Sequence, residues 1–435
     1  MTKTKEQIEK ENDEFEQLLN TKVETKGADM AVMMVEQKDR SINFGVVGVG
    51  QAGSRIAEEF HNRGYNVLAI NSALQDLKYI NISEKQKLFL DVGIGGAGKD
   101  INFGRAAVED HADSIFKVLQ DNFEDSEIML LAISGGGGTG SGGSVPMAKL
   151  LAQLNKPLVV IYILPLSSED TLAKHNSIQT LAELAKLAKE DVINSLVVVD
   201  NAKIELLKPG ISMAEFWKFA NSSIVEPLHL FNKLSSQPSA YTSLDPSDLS
   251  QVLIGTGDCA LYGMIEIENF LDDDAIAEAI ITNVKNGLLA SDFDLTQTRS
   301  AGIIVTGSKK VLQLLPSSNL EYGLAMVNKI CNEGTRIFRG VYELENGHPD
   351  VLRVYSFFSG LGLPEERVKE LKAEAERHME ILKNKENNRS SAMTIDMGKT
   401  TTISAADVMH KKIQQKYSAM GKLNSNSKKI IDRRR

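Results

Sequence analysis

A run of glycines interrupted by two hydroxyl residues occupies the centre of the sequence, where residues 134–142 read SGGGGTGSG. An apolar run at residues 128–133 predicts a buried strand before it, and residues 145–154 predict a helix after it. Glycines let backbone N–H groups face an anion, the helix N-terminus adds partial positive charge, and Thr139 and Ser141 could donate hydroxyl hydrogen bonds. This order predicts a phosphate-binding loop rather than the flexible linker that Gly/Ser tracts usually form.

A second glycine motif, GVGQAG, lies at residues 48–53, between a predicted strand (42–47) and a helix that runs to about residue 60. Taken alone, G-x-G-x-x-G in this context indicates a dinucleotide-binding fold. That fold would also have an acidic residue at the end of the next strand, to bind the ribose. Here the strand predicted at residues 66–70 is followed by Asn71 and Ser72, which weakens the dehydrogenase interpretation.

A third glycine motif, GIGGAGKD, fills residues 93–100, ahead of a helix predicted over residues 103–123. It approaches the P-loop pattern G-x-x-x-x-G-K-[ST], but Asp100 stands where a hydroxyl should hold Mg²⁺. Because a carboxylate would repel phosphates, a P-loop ATPase is not favoured. The bland alternative is a surface turn.

Together the three motifs resemble the tubulin/FtsZ superfamily of GTP-dependent filament proteins. Residues 135–142 match its signature loop, residues 50–53 its first nucleotide loop, Asn71 its second and residues 93–98 its third. The resemblance implies that GTP or GDP binds here, with Mg²⁺ held by phosphates and water. The phosphate-side contacts that it implies are Gly50, Gln51, Ala52, Asn71, Gly96, Ala97, Gly98, Gly136, Gly137, Gly138, Thr139 and Gly140.

The same resemblance assigns the ribose and the base. Glu169 would contact the ribose hydroxyls, and Asn201 would read the guanine edge with an amide that both donates and accepts. Trp217 would lie on the purine face and Asn221 on its edge, four residues apart on a helix predicted at 213–234. Without the family, Glu169 could be a helix-start acid, and Trp217 could be core.

This chain departs from the FtsZ branch at Ala173, where that branch usually has an arginine four residues after the ribose acid. Base and ribose contacts could therefore differ in detail.

Two carboxylates follow the long helix in the segment YTSLDPSDL, residues 241–249. Asp245 is typical of an N-cap, Pro246 of a first helical residue, and Asp248 of the acid in a capping box. Two carboxylates three residues apart can also hold and activate a water. The segment resembles the family's catalytic loop, which completes the active site of the neighbouring subunit, and both roles can hold together.

The elements that must position these residues are alternating strands and helices. We predict an α/β, tubulin/FtsZ-like fold, in which a Rossmann-like GTP-binding domain is joined by a long central helix to a second α/β domain. Further strands are predicted at 158–164 and 195–199. The second domain is predicted as strand 259–266, helix 274–290, strand 301–306, helix 319–331 and strand 351–358, followed by a charged helix at 364–385.

The whole chain is predicted to divide into six parts. They are an N-terminal helix (6–19) and connector within 1–40, the GTP-binding domain at 41–212, the central helix at 213–238, the support domain at 239–362, the C-terminal helix at 363–388 and a basic, disordered tail at 389–435. The tail has one short helical stretch at 405–417.

The composition limits which other classes of protein remain possible. The chain has 435 residues, of which 42% are hydrophobic and 25% charged, as in ordinary globular proteins. No stretch approaches the roughly 18 apolar residues of a membrane helix, and residues 1–20 lack the apolar core of a signal peptide. Cys259 and Cys331 are expected to fill the core in a reducing compartment, and no metal cluster is visible. Residues 409–435 hold nine Lys/Arg against one Asp, a net of +8 in a chain of net −9, so the remainder carries −17.

We therefore expect a cytoplasmic GTPase that assembles head to tail with itself and hydrolyses GTP on assembly. The ending is most similar to the TubZ type of plasmids and phages, which implies DNA segregation, with the tail contacting a DNA-binding adaptor. An FtsZ-like role in cell division is an alternative within the family. Outside it, an NAD-dependent oxidoreductase would rest on Gly48, Gly50 and Gly53, and a third class would bind nucleotide without hydrolysing it.

Overall fold

The computed structural model describes residues 39–392, except residues 94, 273, 284–287 and 345–349, and omits the side chains of residues 213, 378 and 386–392. The predicted N-terminal helix (6–19), the helical stretch at 405–417 and the tail beyond residue 392 lie outside the described residues. The C-terminal helix continues to Ala392, so residues 389–392 are helical where a disordered tail was predicted.

Ten strands form one sheet in the order β3-β2-β1-β4-β5-β6-β7-β10-β8-β9. Strands β1 to β7 pair in parallel, β10 is antiparallel to both of its neighbours, and β9 is parallel to β8. The strands are β1 (Phe44–Val49), β2 (Asn66–Asn71), β3 (Lys87–Phe89), β4 (Ile128–Ser134), β5 (Leu158–Leu164), β6 (Ser195–Asp200), β7 (Cys259–Ile267), β8 (Ser300–Gly307), β9 (Arg336–Glu343) and β10 (Leu352–Leu361).

Helices cover both faces of this sheet. They are α1 (Gly50–His61), α2 (Leu74–Tyr79), α3 (Ile101–Asp110), α4 (Ala112–Asn122), α5 (Gly138–Ala152), α6 (Thr171–Lys189), α7 (Asn201–Leu207), α8 (Met213–Leu234), α9 (Pro246–Ile254), α10 (Ala275–Thr282), α11 (Lys309–Leu314), α12 (Ser317–Ile330) and α13 (Glu365–Ala392), with short 3₁₀ turns at Glu84–Gln86 and Leu295–Gln297.

The central strands are apolar on both sides, because each face is buried under helices. In β4, Met129 and Leu131 belong to the core on one face, and Leu130 and Ala132 belong to the core on the other. This double burial explains why β1, β4 and β5 are continuous apolar runs in the sequence.

Helix α5 begins at Gly138, seven residues before the helix start predicted at residue 145. The sequence prediction was wrong because glycine is a poor helix former, at a cost of about 1 kcal/mol per residue relative to alanine. Tertiary packing overrides that preference here. A Cβ on Gly142 would lie 2.0 Å from the Ile101 carbonyl oxygen, and one on Gly104 would lie 2.0 Å from the Gly138 carbonyl oxygen. Helices α3 and α5 therefore approach so closely that glycine is required on both.

Two other predicted helices were wrong in extent. The helix predicted at 103–123 is divided at His111, whose ψ of 10° lies outside the helical range, into α3 and α4. The helix predicted at 274–290 corresponds to α10, which ends at Thr282, and residues 288–290 are not helical. Instead the Leu289 N–H donates to the Tyr262 carbonyl oxygen at 3.1 Å, which joins this segment to β7.

Strand β9 was missed in the sequence. Its residues RIFRGVYE mix charged and apolar side chains, since it lies at the edge of the sheet and pairs only with β8 among the described strands. Edge strands lack the continuous apolar pattern of strands buried on both faces.

The described part of the chain divides into two units. Residues 39–371 form the first, in which the sheet runs without interruption through both of the predicted α/β domains, and the described part of the second, residues 372–392, is helical. The domain limits predicted from the sequence remain a prediction. Within the described residues, no helix has the length and apolar character that crossing a membrane requires.

Candidate functional site

The sheet reverses its strand order at β1, which lies between β2 and β4. In doubly wound sheets, ligands bind beyond the carboxyl ends of the strands at such a switch point. A cavity of about 480 Å³ lies there. Its described lining is Gly50, Gln51, Ala52, Asn71, Ala73, Asp76, Gly95, Gly96, Ala97, Gly98, Lys99, Ser134, Gly136, Gly137, Gly138, Thr139, Gly140, Ile163, Leu164, Pro165, Leu166, Glu169, Asn201 and Trp217.

The structure thus brings together every residue that was predicted to contact the nucleotide, except Asn221. Trp217 lines the cavity and Asn221 does not, although both are on α8. Sharing a helix face is not sufficient, because four residues advance about 6 Å along the helix axis. The base-edge contact of Asn221 therefore remains a prediction.

The glycine loop after β4 passes directly into the first turn of α5. Gly137 is the N-cap residue of that helix, with φ −88° and ψ 175°. The first N–H groups of a helix have no intrahelical acceptor, and the helix dipole adds positive potential at the same point. Gly138, Thr139 and Gly140 belong to this first turn and line the cavity. The arrangement can bind an anion through its backbone alone.

The two hydroxyl residues of this loop have different environments. Thr139 lines the cavity, and its Oγ1 lies 2.6 Å from the buried Ser72 hydroxyl. The Ser141 hydroxyl donates to the carbonyl oxygens of Gly135 and Gly137 instead. The expectation that Ser141 donates to the anion is therefore wrong, because its hydroxyl stabilises the loop from inside.

The first two loops are joined by a carboxylate that the sequence analysis missed. Asp76, on α2, accepts hydrogen bonds of 3.1 Å from both Gln51 Nε2 and Asn71 Nδ2. Asn71 Oδ1 also accepts from the Ala73 N–H at 3.2 Å, which fixes the turn after β2. No sequence signal marked Asp76, since the dinucleotide-binding pattern has its acid at the end of the strand and this one lies about a helical turn later.

The third loop has an unusual backbone. Gly93, Gly95, Gly96 and Gly98 all have positive φ, and so does Lys99, at 64°. Asp100 is the N-cap of α3, with its Oδ1 accepting from the Asn102 N–H at 2.8 Å. Its carboxylate therefore serves a helix end and is not in the position of a P-loop magnesium ligand.

The side of the cavity assigned to ribose and base is built from α6, α7 and α8. Glu169 Oε1 accepts from the Leu166 N–H at 3.1 Å, whereas Asp170 is the N-cap of α6, accepting from Ala173 N–H at 3.0 Å. Glu169 therefore lies one residue before that cap and on the cavity wall, and its contact with the ribose remains a prediction.

Aromatic residues on α8 divide between the cavity and the core. Phe216 is buried in the core, and the Trp217 ring packs against it edge-on at 5.1 Å between centroids. Trp217 is only half-buried and lines the cavity. One face of the indole can therefore contact a bound ring.

Asp245 and Asp248 lie outside this cavity, at the start of α9. They form the predicted capping box, in which Asp245 Oδ1 accepts from the Ser247 and Asp248 N–H groups at 2.8 and 2.9 Å, and Asp248 Oδ2 accepts from the Asp245 N–H at 3.2 Å. The backbone hydrogen bond from Asp248 lowers the pKa of Asp245, while partial burial raises that of Asp248.

Both cysteines are buried and unpaired, as expected for core residues, and burial raises the pKa of each thiol. Across the described residues, no group of three or more His, Cys, Asp or Glu side chains could hold a metal ion.

A glycine loop between a buried parallel strand and a helix, at the switch point of a doubly wound sheet, is typical of nucleotide-binding α/β proteins. Comparison with known families is more specific. Residues 43–207 match the model of the Tubulin/FtsZ family, GTPase domain, and residues 231–372 match that of the Tubulin/FtsZ-like protein TubZ-like, C-terminal domain. The chain belongs to the tubulin/FtsZ family.

Individual relatives are similar at modest identity. The chain is 28% identical to the tubulin-like protein CetZ of Pyrococcus furiosus over 354 residues, 79% of this chain and 92% of the relative. It is 25% identical to the tubulin-like protein TubZ of Bacillus cereus over 392 residues, 82% of this chain and 88% of the relative.

Solved structures agree with the fold. The GTPγS-form protofilament of Bacillus thuringiensis serovar israelensis TubZ has a TM-score of 0.70 at 20% identity, covering 82% of this chain and 97% of that one. The GTPγS-bound protofilament of CetZ2 from Haloferax volcanii has a TM-score of 0.64 at 22% identity, covering 77% and 100%. At these identities the likeness shows the fold, which confirms the predicted tubulin/FtsZ-like α/β class.

Proposed function

We propose that this chain binds and hydrolyses GTP and assembles head to tail into filaments. The observation that carries the proposal is that one cavity contains both the first turn of α5 and the pair Asn201 and Trp217. The first turn offers N–H groups to phosphates. Asn201 offers an amide that both donates and accepts, as guanine requires, and Trp217 offers an aromatic face.

The cavity fits a phosphate chain at Gly137. A Cβ at this position would meet no atom within 4 Å, and its φ of −88° is accessible to any residue. A substitution there would occupy ligand space without straining the backbone. At the next residue the opposite holds, because a Cβ on Gly138 would lie 2.7 Å from the Ala97 methyl.

This contrast defines the test of binding. Gly137→Val should fold normally and lose measurable GTP binding, because its side chain projects where the phosphates would lie. Gly334→Val is the matched control: it is also a turn glycine with open space around it, and it is not part of the cavity lining. A folded Gly137→Val protein that binds GTP as wild type would overturn the proposal.

Hydrolysis would use Asp245 and Asp248 of the adjacent subunit. Asp245 is exposed, Asp248 is partly exposed, and both lie outside their own cavity, which supports a role in trans. Asp245 accepts two backbone hydrogen bonds and Asp248 accepts one, so Asp248 has more capacity left to orient a water. Mg²⁺ would be held by phosphate oxygens and water.

Assembly is tested by sedimentation of the full chain with GTP, GDP or NAD. Pelleting with GTP alone supports a GTP-dependent filament. Binding of NAD without GTP-dependent pelleting would revive the oxidoreductase alternative, and GTP binding without hydrolysis or pelleting would leave a simple nucleotide-binding protein.

We further propose that the filament segregates plasmid or phage DNA. The TubZ-like C-terminal domain supports this role, because one similar structure is described as type III plasmid segregation TubZ. A DNA-binding adaptor would contact the basic residues 409–435, which lie outside the described residues. Retention of a low-copy replicon with the wild-type chain, and its loss with Asp248→Asn, is the expected result. A division defect with normal replicon retention would favour the FtsZ-like alternative.

A further inference from the structure

The carboxylate of Asp76 is shared by two amide side chains that come from different loops of the cavity. Its Oδ1 accepts from Gln51 Nε2, and its Oδ2 accepts from Asn71 Nδ2, both at 3.1 Å. All three residues line the cavity. Because each carboxylate oxygen has its own donor, neither amide can turn away without losing a hydrogen bond.

A carboxylate, which only accepts hydrogen bonds, decides which end of an amide faces it. Asn71 directs its NH₂ group to Asp76, and its Oδ1 accepts from the Ala73 N–H at 3.2 Å. The reverse orientation would place the amide oxygen against the carboxylate and the NH₂ group against another N–H. Asp76 and Ala73 together therefore fix the Asn71 amide in one orientation.

This orientation leaves Asn71 with a second N–H for a ligand. Nδ2 carries two hydrogens, and its bond to Asp76 is the one that it donates among the described residues. Asn71 is only 2% exposed, so bulk water has little access to the other hydrogen. A buried donor without an acceptor is costly, and an acceptor that enters the cavity would satisfy it. Gln51, which is exposed, also keeps a second Nε2 hydrogen.

The loops that carry the two amides meet the first turn of α5. Before α1, a Cβ on Gly50 would lie 2.9 Å from the Gly140 nitrogen, and after β2 the Ser72 hydroxyl lies 2.6 Å from Thr139 Oγ1. Gly140 and Thr139 belong to the turn whose N–H groups would hold phosphates. The two amides are the next side chains along these loops, so they lie at the phosphate end of the cavity.

An acid at this end of the cavity opposes the binding of phosphates by its charge. That opposition is offset if the carboxylate improves the donors around it. Hydrogen bonds in a chain polarise one another, so an amide whose NH₂ group donates to a carboxylate is held in place by a charged acceptor. The geometry of Asp76, with one amide on each oxygen, is suited to this role.

We propose that Asp76 is a positioning residue for the phosphates of the ligand. It turns the amides of Gln51 and Asn71 so that each presents its second N–H to the phosphate chain. The inference rests on the proposed binding of a guanine nucleotide in the same cavity. Asp76 acts through these two amides.

The test compares GDP with guanosine, which has the same base and ribose but no phosphates. Binding to the full chain is measured at a concentration too low for assembly, and guanosine is measured by its displacement of GDP. Asp76→Ala should weaken GDP binding by about 10-fold, because two phosphate donors lose their orientation. Guanosine binding should change by less than about 2-fold, because Asn201 and Trp217 belong to other elements.

A double-mutant cycle tests whether Asp76 acts through its partners. In an Asn71→Ala background, Asp76→Ala should weaken GDP binding by only about 3-fold, since Gln51 alone remains to be oriented. Asp76→Asn alone should give an intermediate loss of about 3- to 5-fold. Its Oδ1 can accept from one amide, but its NH₂ group opposes the other.

Asp294→Ala is the matched control. Asp294 Oδ2 also accepts from a glutamine amide, Gln297 Nε2, at 3.1 Å, and this pair is not part of the cavity lining. The control should change the binding of neither ligand. Urea denaturation followed by circular dichroism checks that each variant is folded.

The outcomes separate the inference from the proposed function. Wild type that does not bind GDP would refute nucleotide binding itself. If wild type binds GDP, an equal loss of GDP and guanosine binding in Asp76→Ala would mean that Asp76 supports the whole cavity. Unchanged or tighter GDP binding in Asp76→Ala and Asp76→Asn would mean that the carboxylate only repels phosphates. Either result would overturn the positioning role, and so would an Asp76→Ala effect that is equally large with and without Asn71. If guanosine binds too weakly to displace GDP, the double-mutant cycle decides.

Discussion

A buried ion pair connects the end of β6 to the start of the C-terminal helix. Arg367 Nε donates to Asp200 Oδ2 at 2.6 Å, and Nη2 to Oδ1 at 3.5 Å. Only 3% of the Asp200 side chain and 10% of that of Arg367 are exposed. Burial raises the pKa of Asp200, and Arg367 opposes that rise by hydrogen bonding and charge. The guanidinium is what allows this carboxylate to be ionised inside the protein.

Arg367→Met keeps the length of the side chain and removes its charge. Breaking one partner of a buried pair costs about 3–5 kcal/mol, since the other charge remains desolvated. The second acid near Arg367, Glu370 at 3.4 Å, is 64% exposed and should add little. We therefore expect Arg367→Met to lower the free energy of unfolding by about 3–5 kcal/mol at pH 8, measured by urea denaturation with circular dichroism.

The pH dependence of this loss has a definite sign. Without Arg367 the pKa of Asp200 in the folded state rises further above that in the unfolded chain. A carboxyl group whose pKa is higher in the folded state than in the unfolded chain lowers the free energy of unfolding as the pH rises through the folded-state pKa. Below the pKa of the unfolded chain it has no such effect. The deficit of Arg367→Met relative to wild type should therefore shrink as the pH is lowered.

A double variant separates charge from packing. Asp200 also accepts from the Ala202 N–H at 3.0 Å as the cap of α7, and asparagine preserves that bond. Adding Asp200→Asn to Arg367→Met should recover most of the lost stability, because no charge is left buried. A loss below about 1 kcal/mol in Arg367→Met, or a double variant no more stable than the single one, would refute the reasoning.

Three further predictions address catalysis, the base site and pH. Asp248→Asn should bind GTP as wild type, but should release phosphate about 100-fold more slowly per polymerised subunit and form longer-lived polymer; unchanged turnover would leave only the capping role. The fluorescence of Trp217 should change with GTP or GDP and not comparably with ATP, and an unchanged spectrum at saturating GTP would contradict stacking on guanine. Burial lowers the pKa of His229 from 6.5 to about 4, so stability should fall as the pH drops from about 6.5 toward 4, by about 1–2 kcal/mol after allowance for its partial exposure. In His229→Gln the urea midpoint should depend less on pH between pH 7 and 5 than it does in wild type. An equal pH dependence of the two midpoints would contradict this.

The parts of the site that could be predicted are those fixed locally. Glycine spacing in residues 48–53 and 134–142, each placed between an apolar strand and a helix, was sufficient to predict cavity-lining residues, because the carboxyl ends of parallel strands meet at one edge of a sheet. The capping box of Asp245 and Asp248 was likewise predicted, since its hydrogen bonds join residues three apart in the chain.

The parts that were missed depend on contacts between distant segments. Asp76 becomes part of the site only because α2 brings it to Gln51, and Lys99 is paired with Asp170, 71 residues later. No periodicity or spacing carries such information. The same holds for Arg367, which lies in a charged helix whose sequence shows no sign that this one arginine is buried.

The glycines of α5 show how one cause produced both the correct prediction and the wrong one. Their spacing predicted a phosphate loop, and their low helix propensity placed the helix start too late. In the structure the two observations have a single explanation, because the helix must begin inside the glycines for its first N–H groups to face the cavity. Gly138 admits no side chain because Ala97 and Asp100 lie against it, and Gly142 admits none because α3 does. A Cβ on Gly142 would meet the Ile101 carbonyl oxygen at 2.0 Å, so Gly142→Ala should unfold or distort α5 even though this residue does not line the cavity. Gly137→Val, by contrast, should leave the fold intact and affect the ligand alone.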